Sequence, residues 1–202
     1  MLRINRNNAG YKLLIATAIC AFLSLSSPGQ GARGAANPFS KGDSDAPFQI
    51  EVFYDFQCPS CAVFHKTLME VAEKHGDKIR ITIRHFPLSV HDKAFDAAIA
   101  VEAAGDQGKF WEMAGLLLTN QSKWSNSKNY REIFARYAKS LDLDVERFSE
   151  FTVQSVNGAR INSDIQRARS LELGSLPSVI LNGRLLTFVE STELEEIISR
   201  GN

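Results

Sequence analysis

The segment DFQCPSC at positions 55–61 decides the fold, because it joins a strand to a helix through two cysteines. Residues 48–56 (FQIEVFYDF) are rich in β-forming side chains, which predicts a buried strand. Pro59 suits the first position of a helix, and apolar residues then recur at three- and four-residue spacing up to about Lys74. Residues 79–86 (IRITIRHF) alternate apolar and polar side chains and predict a second strand. The sequence therefore predicts the strand–helix–strand order of an α/β fold.

The two cysteines in this segment have the spacing of a redox-active pair. On the first turn of a helix, Cys58 would lie where unpaired N–H groups and the helix dipole favour a thiolate. The thiolate is the attacking species in thiol–disulfide exchange, and Cys61, less exposed, would be the resolving thiol. Pro59 is tolerated because its missing N–H would be unpaired in any case. Ser60 is small and uncharged, and we expect it to add little electrostatic help.

A static disulfide and half of a zinc site are the alternatives for this pair. A disulfide across so short a loop would stabilise the fold little, because loop-closure entropy grows with loop length. Zinc would need two further ligands, and the sequence has no second cysteine pair. His65 is a conceivable third ligand, with His75, His85 or His91 as a fourth, but none has zinc-finger spacing. We therefore predict a redox function and no bound metal ion, with His65 at the edge of the core or on the surface.

The middle of the chain differs from its start, since it contains helical patterns and no strand pattern. Helices are predicted at 93–104, 109–118, 130–141, 145–151 and 153–173. These helices form an all-helical insertion at about 93–173.

A hairpin follows this insertion. Residues 178–181 (SVIL) predict a strand, Asn182-Gly183 is a strong two-residue turn signal, and 184–188 predict the partner strand. Thr192 and Glu195 then have the spacing of a capping box for a last helix at 193–199.

The composition narrows the function classes. The 202 residues are 44% hydrophobic, which is enough to build a packed core in a single domain. The 23 basic and 23 acidic residues balance, whereas nucleic-acid-binding proteins usually have a basic excess. We therefore expect no nucleic-acid partner. Three cysteines are also too few for a small scaffold held together by disulfides.

Residues 1–36 have the order of a secretory signal peptide: a basic start, an uncharged apolar stretch at 13–25, and then small residues. This stretch is short for spanning a bilayer, which takes ~20 residues, although an uncleaved anchor is the alternative. Cys20 lies within the stretch and would be removed, leaving one cysteine pair in an oxidising compartment. We therefore predict export, to the periplasm or beyond, with residues 37–47 as a flexible lead-in to a domain at 48–202.

Three segments together resemble the DsbA-like thiol–disulfide oxidoreductases: DFQCPSC at 55–61, AAIAVEAAGDQGKFWEM at 97–113 and LPSVILNG at 176–183. The resemblance covers about residues 46–200. It implies an α/β thioredoxin-like fold with an all-helical insertion between the second strand and a cis-proline hairpin.

The same resemblance implies roles for individual residues. Cys58 is the nucleophile, Cys61 is the resolving thiol, and the two form the redox-active disulfide. Pro177 is expected to be cis and to pack against the cysteines, although proline statistics alone favour an ordinary trans bond. The backbone of Leu176 is expected to hydrogen-bond the substrate.

The sequence departs from the family at two positions. Leu176 is bulkier than the Thr or Val that many relatives carry before the cis-proline, which bears on substrate preference. Relatives also often place a buried acid six residues before the first cysteine, where this chain has Val52. Glu51 and Asp55 are predicted to lie on the opposite strand face. We therefore expect no side-chain base from this strand beside Cys61.

The resemblance implies an exported dithiol oxidase that introduces disulfides into reduced exported polypeptides and is reoxidised by a membrane partner. A disulfide reductase or isomerase of the same fold is the first alternative, and a redox-inactive binding or holdase module is the second. Isomerases usually carry an N-terminal dimerisation domain, for which residues 37–47 leave no room. We expect a monomer that needs no cofactor.

Overall fold

The computed structural model describes residues 39–154, 158–186 and 191–201, the side chains of residues 191 and 192 excepted. Five strands form one sheet in the order β1-β3-β2-β4-β5. β2 and β3 are parallel, and the other neighbouring pairs are antiparallel. The strands are β1 (Ser40–Lys41), β2 (Phe48–Tyr54), β3 (Ile79–His85), β4 (Ser178–Leu181) and β5 (Arg184–Leu186).

Eight helices occur within the described ranges. They are α1 (Pro59–His75), α2 (Ala94–Gly105), α3 (Phe110–Thr119), α4 (Gln121–Trp124), α5 (Tyr130–Ser140), α6 (Val145–Val153), α7 (Ala159–Ser170) and α8 (Ser191–Arg200). α1 is the crossover that parallel pairing of β2 with β3 requires. α2 to α7 lie between β3 and β4, which agrees with the predicted helical insertion. This is the α/β architecture that the resemblance implies.

Side chains of β2 alternate between the two faces of the sheet, and this alternation divides the core. Val52 and Tyr54 belong to the main cluster, which also holds both cysteines and Leu68 of α1. Phe53 lies on the other face and packs against Ala168 and Ile180 in a second cluster. The start of α1 is therefore set directly against the edge of the main core.

The turn between β4 and β5 has the geometry that its sequence predicts. Asn182 and Gly183 both have positive φ, at 48° and 81°, as a hairpin turn with two left-handed residues requires. The Asn182 side chain also accepts the backbone N–H of Gln49 at 2.7 Å and donates to the carbonyl of Pro47 at 3.0 Å. The hairpin is thereby fixed to the start of β2.

Three segments differ from prediction. The lead-in contains β1, which pairs with β3 and carries a hydrogen bond of 2.7 Å between the hydroxyls of Ser40 and Thr82. α4 is a single turn, too short to show a period. The helix predicted at 153–173 is wrong, because α6 ends at Val153, Gln154 is extended and α7 begins only at Ala159.

The remaining predictions fall outside the described residues. They concern the signal peptide at 1–36 and the last residues of the hairpin at 187–188. The last helix, α8, begins at Ser191, so Thr192 lies inside it and not at its cap as predicted. Within the part of the chain that the structure describes, no helix combines the length and the apolar character needed to cross a membrane.

Candidate active site

The two cysteines lie at the start of α1: Cys58 immediately before the helix and Cys61 on its first turn. Cys58 is the N-cap residue, with Pro59 at the first helical position. Cys58 is 9% exposed, whereas Cys61 is fully buried. The side-chain amide of Gln121 donates to the carbonyls of Phe56 and Cys58, at 2.7 and 2.9 Å, and so holds the preceding loop. Cys58 therefore keeps a small exposed surface, whereas Cys61 is enclosed.

Electrostatics make the pair strongly unequal. The pKa of Cys58 is lowered to about 5, chiefly by a hydrogen bond from Cys61. Burial opposes this effect, and the Ser60 hydroxyl and the backbone N–H groups of Ser60 and Cys61 add to it. The hydrogen bond to Cys58, burial and the negative charge of Cys58 raise the pKa of Cys61. At neutral pH, Cys58 is therefore a thiolate and Cys61 a thiol.

Ser60 links the cysteines to the hairpin. Its Oγ lies 3.0 Å from Cys58 Sγ and donates to the carbonyl of Leu176, also at 3.0 Å. The Leu176–Pro177 peptide bond is cis, as the resemblance implies. Ser60 Oγ is thus in hydrogen-bond contact with Cys58, and this contact contributes to the lowered pKa of Cys58, which the expectation that Ser60 adds little did not include.

Asp55 is the functional candidate that the sequence reasoning misplaced. β2 ends at Tyr54, so strand alternation does not fix where the next side chain lies. The Asp55 carboxylate is fully buried: Oδ1 accepts the N–H of Gln57 at 2.7 Å, and Oδ2 accepts that of Leu88 at 2.8 Å. His91 Nδ1 lies 2.7 Å from the same Oδ2. The sequence does contain one signal for this position. In turns, an Asp side chain often accepts a hydrogen bond from the backbone N–H two residues further along the chain.

Asp55 also acts on the resolving cysteine. The largest effects on the pKa of Cys61 come from Cys58 and from burial. Asp55 has two smaller and opposite effects: a hydrogen bond from its backbone lowers the pKa of Cys61, and the negative charge of Asp55 raises it. Asp55 follows the end of β2, so the expectation about bases beside Cys61, which concerned side chains of the strand, did not include it. The predictions for the neighbouring positions agree with the structure. Val52 is fully buried in the cysteine cluster, and Glu51 pairs with Arg84 and Arg167 instead.

His65 lies at the core edge, one turn beyond Cys61. Its ring packs edge-on against Tyr54, with ring centroids 5.8 Å apart. Burial lowers the pKa of His65 to about 4, so its ring is neutral at physiological pH. Across residues 39–154, 158–186 and 191–201, no three His, Cys, Asp or Glu side chains are grouped so that they could hold a metal ion.

Sequence comparison adds two findings. A family model described as Thioredoxin matches residues 35–200. The chain is 37% identical over 147 residues to the Na(+)/H(+) antiporter NhaA 1 of Mycolicibacterium gilvum and 37% identical over 145 residues to that of Salinispora arenicola. These matches cover 71% of this chain but only 23% and 21% of the antiporters. The chain thus spans about a quarter of the length of the curated relatives it matches.

Solved structures show the same fold. Wolbachia pipientis α-DsbA1 superposes with a TM-score of 0.70 at 19% identity, covering 80% of this chain and 89% of that one. Oxidised BdbD of Bacillus subtilis superposes with a TM-score of 0.70 at 22% identity, covering 80% and 91%. Likeness at these identities establishes a thioredoxin-like fold of the DsbA type, with its helical insertion.

Proposed function

The chain belongs to the thioredoxin family, and from this premise we propose that it is a thiol–disulfide oxidoreductase that reacts through Cys58 and Cys61. The observation that carries the proposal is the inequality of the pair: a stabilised thiolate that keeps a small exposed surface lies at the start of α1, and a fully buried thiol lies one turn further in. Such a pair can hold a substrate at one sulfur while the other resolves the complex.

The favoured direction is oxidation of substrate dithiols. Interactions that lower the pKa of Cys58 stabilise the reduced protein, and a stabilised reduced form makes the disulfide a stronger oxidant. A thiolate of low pKa is also a good leaving group, which speeds release of the oxidised substrate. A disulfide reductase would run the same exchange in the opposite direction, with a less strongly stabilised thiolate. An isomerase would use the same atoms to rearrange disulfides within a substrate, with no net oxidation or reduction.

The oxidation proceeds in two exchange steps. A substrate thiolate attacks Cys58 Sγ in the Cys58–Cys61 disulfide, and Cys61 leaves with the electron pair and takes up a proton. A second thiolate of the same substrate then attacks the substrate sulfur of the mixed disulfide, and Cys58 leaves as a thiolate. The substrate loses two electrons and two protons overall, and the protein gains two electrons and ends as a Cys58 thiolate with a Cys61 thiol.

The hairpin is the proposed substrate contact. Leu176 and Pro177 lie beside the reacting sulfur, since Ser60 bridges Cys58 to the Leu176 carbonyl. A carbonyl oxygen has two lone pairs and can accept a substrate N–H as well. Backbone pairing of this kind suits polypeptide substrates of varied sequence, because it does not depend on side chains.

The proposed place of action is the periplasm or another exported location. Support comes from the signal-peptide pattern at 1–36, with a domain at 48–202 following a lead-in. The proposed substrates are reduced exported polypeptides, and a membrane protein would restore the disulfide. We propose that the protein acts as a monomer and needs neither a cofactor nor a nucleic-acid partner.

Trapping experiments test this function. In a Cys20→Ser background, Cys61→Ser keeps the attacking thiolate but has no resolving thiol, so it should accumulate mixed disulfides with a cystine-containing peptide that disappear on reduction. Cys58→Ser should trap little or nothing. In the same background, the otherwise unaltered oxidised protein should form one peptide disulfide for each protein disulfide consumed. Equal trapping by both variants contradicts the assigned roles, and absence of any exchange would point to the holdase alternative.

A further inference from the structure

A cleft opens between α1, α3 and β1, one turn of α1 beyond Cys61, and the chemistry proposed above does not use it. Its volume is about 510 Å³, which is within the range of small-molecule sites. α1 contributes His65 and Met69, which are four residues apart and therefore lie on one face of the helix. The other walls of the cleft are formed by Trp111, Glu112 and Gly115 of α3 and by Ser40 and Lys41 of β1.

Gly115 gives this cleft its depth. Apart from its own helix, a β-carbon at Gly115 would have only His65 Nε2 within 4 Å among the described residues, at 3.8 Å. His65 is 6% exposed, so its ring is a nearly buried wall whose Nε2 borders the space beside Gly115. The ring is neutral and carries one N–H group. A ligand atom placed beside Gly115 would therefore meet a ring nitrogen of His65.

Two polar atoms in the walls of the cleft have no hydrogen-bond partner within the described ranges. They are His65 Nδ1 and Trp111 Nε1, and both are buried. An indole N–H can only donate, and a buried donor without an acceptor is costly. The Trp111 side chain as a whole is half-buried, which leaves its ring room to turn this N–H toward a ligand. The cleft therefore has unused hydrogen-bonding capacity that an acceptor oxygen would fill.

The charges around the cleft decide which acceptor suits it. Lys41 is exposed and has no ion-pair partner in the part of the chain that the structure describes. Its charge reaches the cleft, since it adds to the effect of burial in lowering the pKa of His65. Glu112 pairs with Lys109 at 3.2 Å, which balances its charge. The unbalanced charge is therefore positive, and this favours a carboxylate over an amine.

The apolar walls suit an aromatic ring, because the thioether of Met69 and the indole of Trp111 both make favourable contacts with aromatic groups. We propose that the cleft binds a small aromatic carboxylate. Its ring packs against Met69 and the Trp111 indole. Its carboxylate lies toward Lys41 and accepts the N–H groups of Trp111 and His65. Binding involves neither cysteine, so this proposal does not depend on the proposed thiol chemistry.

The test uses the reduced, ¹⁵N-labelled full chain carrying Cys20→Ser, with 3-phenylpropionate as the probe. The sequence contains two tryptophans, so the NMR spectrum has two indole N–H signals, and Trp111→Phe assigns them by removing one. The Trp111 signal should move and saturate, with a dissociation constant on the order of 1 mM for a probe of this size. The Trp124 signal should stay in place, because its N–H is buried and already donates to the Leu117 carbonyl.

Two matched probes test the role of charge. 3-Phenylpropanamide has nearly the same shape without the charge, and 3-phenylpropylamine carries the opposite charge. The carboxylate should bind about two- to fivefold more tightly than the amide, as expected of an ion pair with an exposed lysine, and the amine should bind most weakly. Lys41→Gln should remove the advantage of the carboxylate and leave the affinity for the amide unchanged.

Two further positions test the site itself. Glu112→Gln is the matched control for Lys41→Gln, since it removes the other charge of the cleft and should not weaken binding of the carboxylate. Gly115→Leu fills the space beside His65 and should weaken binding of all three probes at least about tenfold. If Gly115→Leu fails to fold, Gly115→Ala favours the helix, places a methyl group 3.8 Å from His65 Nε2 and should still weaken binding of all three.

Three results overturn this binding site. The Trp111 signal could fail to approach saturation by about 20 mM 3-phenylpropionate, well above the expected dissociation constant. Both indole signals could move together, or the variants at Gly115 could bind as the starting protein does, which would place the probe elsewhere. The amine could bind most tightly and lose affinity in Glu112→Gln, which would reverse the assigned charge. Each result leaves the proposed thiol chemistry untouched, so the two proposals fail separately.

Discussion

Replacing Ser60 by Ala tests how this chain stabilises its attacking thiolate. The Ser60 hydroxyl lies 3.0 Å from both Cys58 Sγ and the Leu176 carbonyl oxygen. A hydroxyl has one hydrogen, so it donates to only one of them at a time. Ala removes this donor and keeps a good helix-forming residue on the first turn. The change therefore acts on the thiolate with little effect on the helix.

The size of the effect follows from the strength of that hydrogen bond. A hydrogen bond to a charged group contributes about 1.5–3 kcal/mol. Because Ser60 is exposed and shares its hydrogen with Leu176, we take about 1.4 kcal/mol, which corresponds to a rise of ~1 unit in the Cys58 pKa. The reduced form loses the same stabilisation at neutral pH, so the reduction potential should fall by ~30 mV. Ser60→Ala should therefore be a weaker oxidant.

The ultraviolet absorbance of the thiolate, followed against pH in the Cys20→Ser background, measures this pKa directly. Ser60→Thr is the matched control, since it keeps a hydroxyl at the same position and should retain most of the depression. A Cys58 pKa unchanged in Ser60→Ala would refute the reasoning. It would mean that Ser60 donates to Leu176 even when Cys58 is ionised.

Three further predictions concern the hairpin, the strand and the pH dependence of stability. Leu176→Thr should keep oxidase activity within about an order of magnitude, because the backbone of residue 176 is unchanged, but should alter the peptides preferred in a competition assay. Val52→Glu buries an unpartnered carboxyl group and should lower the free energy of unfolding by about 1–3 kcal/mol; an unchanged denaturant midpoint would contradict this. The lowered pKa of Cys58 means that the unfolded chain binds more protons between about pH 5 and 9. The melting temperature of the reduced protein, compared with that of reduced Cys58→Ser, should therefore rise with pH across this window; a flat difference would contradict it.

Local patterns made much of the fold predictable. The strand before the cysteines, the helix after them and the hairpin at Asn182-Gly183 each carry a period or a turn signal within a few residues, and each forms nearly at its predicted bounds. β1 was missed because two residues carry no period and pairing with β3 is a long-range contact. The break after Val153 was missed because apolar residues continue on both sides of it, although Val153 itself is exposed.

The site divides in the same way. The spacing of Cys58 and Cys61 predicts that they react, and the resemblance points to Leu176 and Pro177 as the substrate contact. The contacts of Ser60 and Asp55 could not be predicted, because their partners are distant in sequence. Ser60 bonds Leu176, and Asp55 bonds Leu88 and His91, through contacts that exist only once the sheet and its loops have assembled.

The account depends on a Cys58–Cys61 pair that cycles between dithiol and disulfide and acts as an oxidant. Equilibration of the Cys20→Ser protein with glutathione buffers of graded ratio, with the reduced fraction read after acid quenching, tests this most directly. The account predicts a reversible two-electron transition with a midpoint more positive than about −200 mV, in the range of disulfide-donating proteins. A midpoint near −270 mV, typical of a reductase, or a pair that does not exchange with glutathione would contradict it.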